Sequence, residues 1–265
     1  MSRPRFSALL LMALPCAANG CAALATKPPT PADDISPRQS AAITAPPGER
    51  YFVLIFGSQT CLKHPKYTHT WATVVKATGC DGPGTPRVEP QTISWLPATL
   101  NIRVWSLCVE PGANLELNFT IEEMLRNGER VSLWGPYEVR PGFAYRFSVQ
   151  KAFMESGQVG YQCIDTIGEA AHGTGCDCIH AITDMDPIFD RSRYPLAYFG
   201  DAASLNIVRR LQTRPVIMCP ESDHSWLLPL LGLDKYPIVR RSYSGPSLPY
   251  TPENLEEYFR RQEAR

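Results

Sequence analysis

The segment Gly173–Asp184 carries the highest density of reactive side chains in this sequence of 265 residues. It contains Cys176, Cys178 and His180. Cys178 falls where a helix is predicted to begin, and the unpaired backbone N–H groups and dipole of a helix start stabilise a thiolate. The pattern therefore predicts Cys178 as a nucleophile, which needs a proton acceptor, usually a histidine.

His69 is the histidine that the pattern favours as this proton acceptor. It lies in the β-branched and aromatic run Thr68–Val75, which predicts a strand with His69 and Trp71 on one face. The next predicted strand is Gln91–Trp95. The pattern thus pairs Cys178 with His69, and this chemistry requires no cofactor. A buried structural role for His69 is equally compatible with the pattern.

The order of these residues, a histidine on an early strand and a cysteine at a later helix start, resembles the circularly permuted papain-like families. These include permuted relatives of NlpC-type peptidases and lecithin:retinol acyltransferase-like proteins. The residues that carry the resemblance are Thr68–Ala72 and Cys176–His180. In these families a third polar residue comes from the strand after the histidine, which is where Ser94 lies in this sequence. The resemblance therefore implies a permuted papain-like α+β fold, with His69 as base, Cys178 as nucleophile and Ser94 as the third catalytic residue. It further implies a thiol hydrolase or acyltransferase that acts on an amide or ester.

A metal site is a second interpretation of the same segment. Cys176, Cys178 and His180 are all potential ligands, although zinc sites usually space their cysteines by two or more residues. A fourth ligand would have to come from a distant histidine, namely His64, His172 or His224.

A disulfide bond is a third interpretation. Exported cysteines are mostly paired, and Cys163 is a potential partner of Cys176 or Cys178. A bridge to Cys178 would remove the nucleophile. The chain would then be a non-catalytic binding or scaffolding protein, which is the alternative to an enzyme.

The N-terminal residues predict export and anchoring. Arg3 and Arg5 precede the apolar run Phe6–Leu14, which is too short to span a bilayer. The following Ala18–Cys21 resembles the lipobox of bacterial lipoproteins, which implies a lipid on Cys21. We therefore expect a protein of the cell envelope, facing the periplasm or exterior, with the membrane as partner and an envelope amide or ester as substrate. Ordinary cleavage and secretion as a soluble protein is the alternative.

The remainder of the chain predicts a tether followed by one domain. Residues 22–49 are rich in Pro, Ala, Ser and Thr without apolar periodicity, which predicts a disordered tether. Residues 50–265 are of a suitable length for one globular domain. The net charge is +0, with 26 basic and 26 acidic residues, which argues against a nucleic-acid partner.

Within this domain the pattern predicts a small, mostly antiparallel sheet packed with several helices, an α+β fold. Asp165 is expected to be a solvated turn residue. Further strands and helices are predicted as follows: strands at 51–56 and 100–105; helices that begin near Thr120, Pro141, Cys178, Ala202 and Thr251.

Overall fold

The computed structural model describes residues 30–169, 174–186, 189, 199–213, 216–219 and 221–242. The strands are β1 (Glu49–Gln59), β2 (Thr68–Thr78), β3 (Arg87–Ile93), β4 (Trp95–Pro97), β5 (Gly112–Asn114), β6 (Arg130–Val139), β7 (Gly160–Tyr161), β8 (Gly175–Cys176) and β9 (Val239–Arg241). The helices are α1 (Pro37–Ala42), α2 (Leu117–Arg126), α3 (Pro141–Met154), α4 (Cys178–Thr183), α5 (Asp201–Thr213) and α6 (Leu227–Leu230).

A mixed five-stranded sheet in the order β3-β2-β1-β6-β9 forms the centre of the molecule. Its pairs are antiparallel except for β6 and β9, which run parallel. Central strand β1 reads as an unbroken apolar run because both of its faces are buried. The predicted α+β fold is therefore confirmed, with a mixed sheet.

Helices cover both faces of the sheet, which separates two apolar cores. On the first face, Val53, Ile55 and Ala72 pack with residues of α3, α4 and α5. On the second face, Phe52 and Trp71 pack with α2 and with the 226–238 segment. Successive strand residues point to opposite faces, so adjacent positions such as Trp71 and Ala72 belong to different cores.

Glycine allows α5 to approach the sheet closely. A Cβ at Gly57 in β1 would lie 2.6 Å from the Ser204 hydroxyl and 3.2 Å from the Asp201 backbone. The Ser204 hydroxyl instead donates to the Phe56 carbonyl at 2.7 Å. This contact fixes the start of α5 against β1.

The N-terminal part of the described chain lies on the domain, which corrects the prediction of a disordered tether over 22–49. Ala32 is fully buried, and α1 packs against α3. The buried guanidinium of Arg146 donates to the carbonyls of Ala32, at 2.9 Å, and of Ile35. Residues 30–49 are thus part of the folded unit, and Cys21 lies outside the described residues.

Two further differences from the predicted elements concern the 100–105 segment and β6. The predicted strand at 100–105 is wrong, because Leu100 has a φ of 57°, outside the extended region. Strand β6 lies in the middle of the sheet, although no strand is predicted there. The predicted helix from Thr251 lies outside the described residues. Among those that are described, no helix is both long and apolar enough to cross a membrane.

Replacing Arg146 by Met should lower the free energy of unfolding by about 2–4 kcal/mol. The change removes a buried donor group from the carbonyls of the 30–35 segment and leaves them without these hydrogen bonds. Chemical denaturation measures the difference. Arg87→Met, on the exposed side of β3, is the control and should cost less than about 0.5 kcal/mol. Equal stabilities of the two variants would contradict a packed N-terminal segment.

Candidate functional site

Helix α4 begins at Cys178, as predicted, and its start is held by the preceding residue. The Asp177 Oδ1 accepts hydrogen bonds from the backbone N–H groups of Ile179 and His180, both at 2.8 Å. Asp177 is therefore the N-cap of α4, and it satisfies two of the N–H groups that a helix start leaves unpaired. This cap places Cys178 and His180 at one end of the helix.

His180 lies between two carboxylates. Its Nδ1 is 2.9 Å from Asp177 Oδ2 and 3.0 Å from Asp165 Oδ1. His180 and Asp165 are each 2% exposed and Asp177 is 8% exposed. Burial by itself would lower the pKa of His180, but the two carboxylates, Asp177 and then Asp165, together raise it well above its usual range. The prediction that Asp165 is a solvated turn residue is wrong.

These residues lie at the floor of a cavity of about 240 Å³. Cys163, Cys178 and Tyr161 also line it, as do Trp105 and Phe199. Trp105 is 79% exposed, so its ring forms the rim of the cavity. The cavity thus combines an acidic floor with an exposed apolar rim.

The two cavity thiols are held in their protonated form. Burial, and after it the charge of Asp177, raises the pKa of Cys178 well above its usual value. The same two causes raise the pKa of Cys163 to about 12. A thiolate is the reactive form of cysteine, so this environment works against the nucleophile predicted from the helix start.

The structure brings His69 and Ser94 together but separates both from Cys178. The His69 Nε2 is 2.9 Å from the Ser94 hydroxyl, and its ring stacks on Trp71. The Trp71 side of β2 belongs to the core under α2. Cys178 packs with the opposite core, on the side of Ala72. His69 and Cys178 therefore lie on opposite faces of the sheet, and burial lowers the pKa of His69 to about 3.

The remaining predicted ligands are dispersed. Cys176 is buried, and its thiol donates a hydrogen bond to the Asp177 carbonyl at 3.4 Å. Cys176 does not line the cavity. His64 is exposed in a short turn, and His224 packs against Phe52 in the other core. His172 lies outside the described residues. No disulfide bond joins the seven cysteines within the part of the chain that the structure describes.

Sequence reasoning overlooked the acidic half of the site. An aspartate directly before an apolar helical run is the usual signature of an N-cap, and this signal could have identified Asp177. Asp165 has no such local signal. It reaches His180 through the pairing of β7 with β8, which sets the chain after Tyr161 beside Cys176.

In comparisons with known proteins, no family model, curated protein or solved structure matches the chain.

Replacing His69 by Gln should reduce the dependence of the unfolding free energy on pH below pH 6.5. The pKa of His69 is about 3 in the folded chain against 6.5 in an unfolded chain, so between these values the unfolded state binds one more proton. Unfolding free energy therefore falls as pH drops from 6.5 toward 3, by up to about 1.4 kcal/mol per pH unit. Glutamine keeps a partner for Ser94 without titrating.

Urea denaturation from pH 7 to pH 4 measures this slope. The exposed His64→Gln serves as control and should retain the wild-type slope. An unchanged slope in His69→Gln would mean that His69 is not buried in its neutral form.

Proposed function

We propose that this chain is an envelope-anchored binding protein, and that the cavity beside α4 holds a small ligand. The observation that carries the proposal is the combination of a buried Asp165–His180–Asp177 floor with an exposed apolar rim at Trp105. Binding sites for small molecules are typically concave, largely apolar and equipped with a few convergent polar groups.

The chemistry of the walls defines the class of ligand. The floor holds two carboxylates and one imidazolium, so a polar or cationic group is favoured there. Trp105 lines the cavity and is largely exposed, so the apolar part of a ligand can pack against its ring. The ligand is therefore amphipathic, with its apolar part at the rim.

Trp105→Ala should weaken the binding of an apolar amine such as phenylnaphthylamine by about tenfold. The change removes an aromatic contact worth roughly 1–1.5 kcal/mol. A fluorescence titration of the purified chain measures the dissociation constant. Phe119→Ala removes an exposed aromatic ring on α2 and is the matched control. Equal affinities in the two variants, or no binding by the wild type, would contradict the proposal.

A second candidate is the thiol hydrolase or acyltransferase of permuted papain-like fold, acting on an envelope amide or ester. The observation that favours it is the position of Cys178, which opens α4 and lines the cavity. A hydrogen bond from the Thr70 backbone also lowers the pKa of Cys178, although burial and Asp177 outweigh it. In this version His69 is not the base, because it lies on the other face of the sheet.

Iodoacetamide labelling separates the two candidates. We expect Cys178 to alkylate more slowly at pH 7 than the exposed Cys219, because the raised pKa of Cys178 leaves little thiolate. His69→Ala should leave its rate unchanged. Peptide mass spectrometry across a pH series gives both rates. Faster labelling of Cys178 than of Cys219 at pH 7 would favour the thiol enzyme over the binding protein.

A further inference from the structure

We infer that the ligand of this cavity carries a quaternary ammonium head group of the choline type, held between the acidic floor and the aromatic residues of the lining. The inference rests on the proposed function and names the head group of the amphipathic ligand. The charge of the floor, the engagement of its carboxylate oxygens and the aromatic lining carry it together.

The floor of the cavity concentrates negative charge. Asp165 and Asp177 both contact the imidazolium of His180, so two carboxylates against one cation leave one negative charge in excess. All three residues are buried, and water therefore screens this charge weakly. Among the described residues that line the cavity, none is a lysine or an arginine. A cationic ligand is thus favoured over a neutral or an anionic one.

The carboxylate oxygens already have partners within the protein. Asp177 Oδ1 accepts from the backbone N–H groups of Ile179 and His180, and its Oδ2 is 2.9 Å from His180 Nδ1. Asp165 Oδ2 accepts from the Asp177 N–H at 3.3 Å, and its Oδ1 is 3.0 Å from the same Nδ1. A primary ammonium would lose hydrogen bonds to water that this floor replaces poorly. A quaternary ammonium has no N–H groups and loses none.

Aromatic residues supply the second half of such a site. Trp105, Tyr161 and Phe199 line the same cavity as the acidic floor. Burial raises the pKa of Tyr161 well above its usual range, so its ring stays neutral. Aromatic rings attract cations through their electron-rich faces, and groups of them are the usual means by which proteins recognise quaternary ammonium ions.

Phe199 already accommodates a cation. The ammonium of Lys63 lies 4.3 Å from the centroid of its ring, within the distance of about 6 Å at which a cation and an aromatic ring attract each other. Lys63 itself does not line the cavity. The contact shows that one of the three aromatic residues of the lining is used by the protein to bind a positive charge.

The size of the cavity fits a head group rather than a whole amphiphile. Its volume is about 240 Å³, below the roughly 300–1,000 Å³ of pockets that enclose drug-sized ligands. A trimethylammonium group is compact and fits such a space. The apolar chain of the ligand then lies at the rim, where Trp105 is exposed.

The competing explanation is that the Asp165–His180–Asp177 group serves only to hold α4. The cavity would then bind apolar molecules through its lining without regard to their charge. The two explanations differ in whether the affinity depends on the charge and the methylation of the head group.

Three amphiphiles with the same octyl chain test the inference on the purified full chain. Octyltrimethylammonium should bind at least about tenfold more tightly than octylammonium, which has N–H donors, and than neutral octanol. Isothermal titration calorimetry below the aggregation limit of each compound gives the dissociation constants. Choline against its neutral isostere dimethylbutanol repeats the comparison without the chain, and choline should bind more tightly.

Replacing Trp105 by Leu separates the attraction between cation and ring from apolar contact. Leucine keeps an apolar side chain at the rim but removes the ring, so octyltrimethylammonium should bind about two- to fivefold more weakly while octanol binds as before. Trp105 is largely exposed, so the variant should keep the fold. Phe119→Leu, an exposed ring on α2, is the matched control and should bind both compounds like the wild type.

Replacing Asp165 by Asn removes one charge from the floor with little change in shape. Octyltrimethylammonium should bind about tenfold more weakly, and octanol should bind as in the wild type. Asp234→Asn, an exposed acidic residue in the 226–238 segment, is the control for charge and should leave both affinities unchanged.

Two results would overturn the inference. One is that octylammonium or octanol binds as tightly as octyltrimethylammonium. The other is that Trp105→Leu weakens octanol and octyltrimethylammonium equally, since the ring would then contribute only apolar contact. In both cases an amphipathic ligand still binds at the cavity, so the proposed function would stand. If none of the three octyl compounds binds, the proposed function fails together with the inference.

Discussion

The capping of α4 by Asp177 is the interaction on which the site depends. One carboxylate oxygen satisfies two backbone N–H groups of the helix start, and the other meets the imidazole of His180. The same residue donates its own N–H to Asp165. Asp177 thereby determines where α4 begins and how Cys178 and His180 are oriented. It also determines the position of the Asp165 carboxylate. Because all three charged groups are buried, these contacts are the ones that make their burial tolerable.

The same cap explains why the site is a poor place for a thiolate. A helix start favours a negative charge on a cysteine through its N–H groups and dipole. Here the carboxylate of Asp177 already occupies two of those N–H groups and adds a negative charge beside the sulfur. Burial and that charge raise the pKa of Cys178. The local environment therefore suits a cationic group better than a cysteine anion.

The two faces of the sheet impose the other constraint. Alternation along β2 places His69 with Trp71 under α2, where its Nε2 contacts the Ser94 hydroxyl. Helices α3, α4 and α5 cover the opposite face, and Cys178 packs there. A Cys–His pair would need both residues on one face of the sheet. His69 and Cys178 are separated because α4 packs on the face opposite to His69. Residues 30–42 also pack on that face, because Arg146 on α3 donates hydrogen bonds to carbonyls of this segment.

Much of the secondary structure could be read from local pattern, because it depends on local physics. The apolar run of β1, the β-branched run of β2, the proline that opens α3 and the helix start at Cys178 are all correctly predicted. Strand β6 was missed because Gly135 and Pro136 interrupt its apolar run, and a proline is rarely found inside a central strand. Its place between β1 and β9 comes from pairing with distant strands.

Side-chain type and the start of a helix are local properties, so the residues of the 173–184 segment that could do chemistry can be recognised from the sequence. The residues that surround them in space depend on the tertiary structure. It placed His69 across the sheet from Cys178 and brought Asp165 within 3.0 Å of His180 through the β7–β8 pairing. It also placed Cys163 in the lining of the same cavity. The alternation of side chains along a strand defines two faces, but it does not indicate which helix covers each face. The contact between Asp165 and His180, 15 positions apart, has no signature in the local sequence.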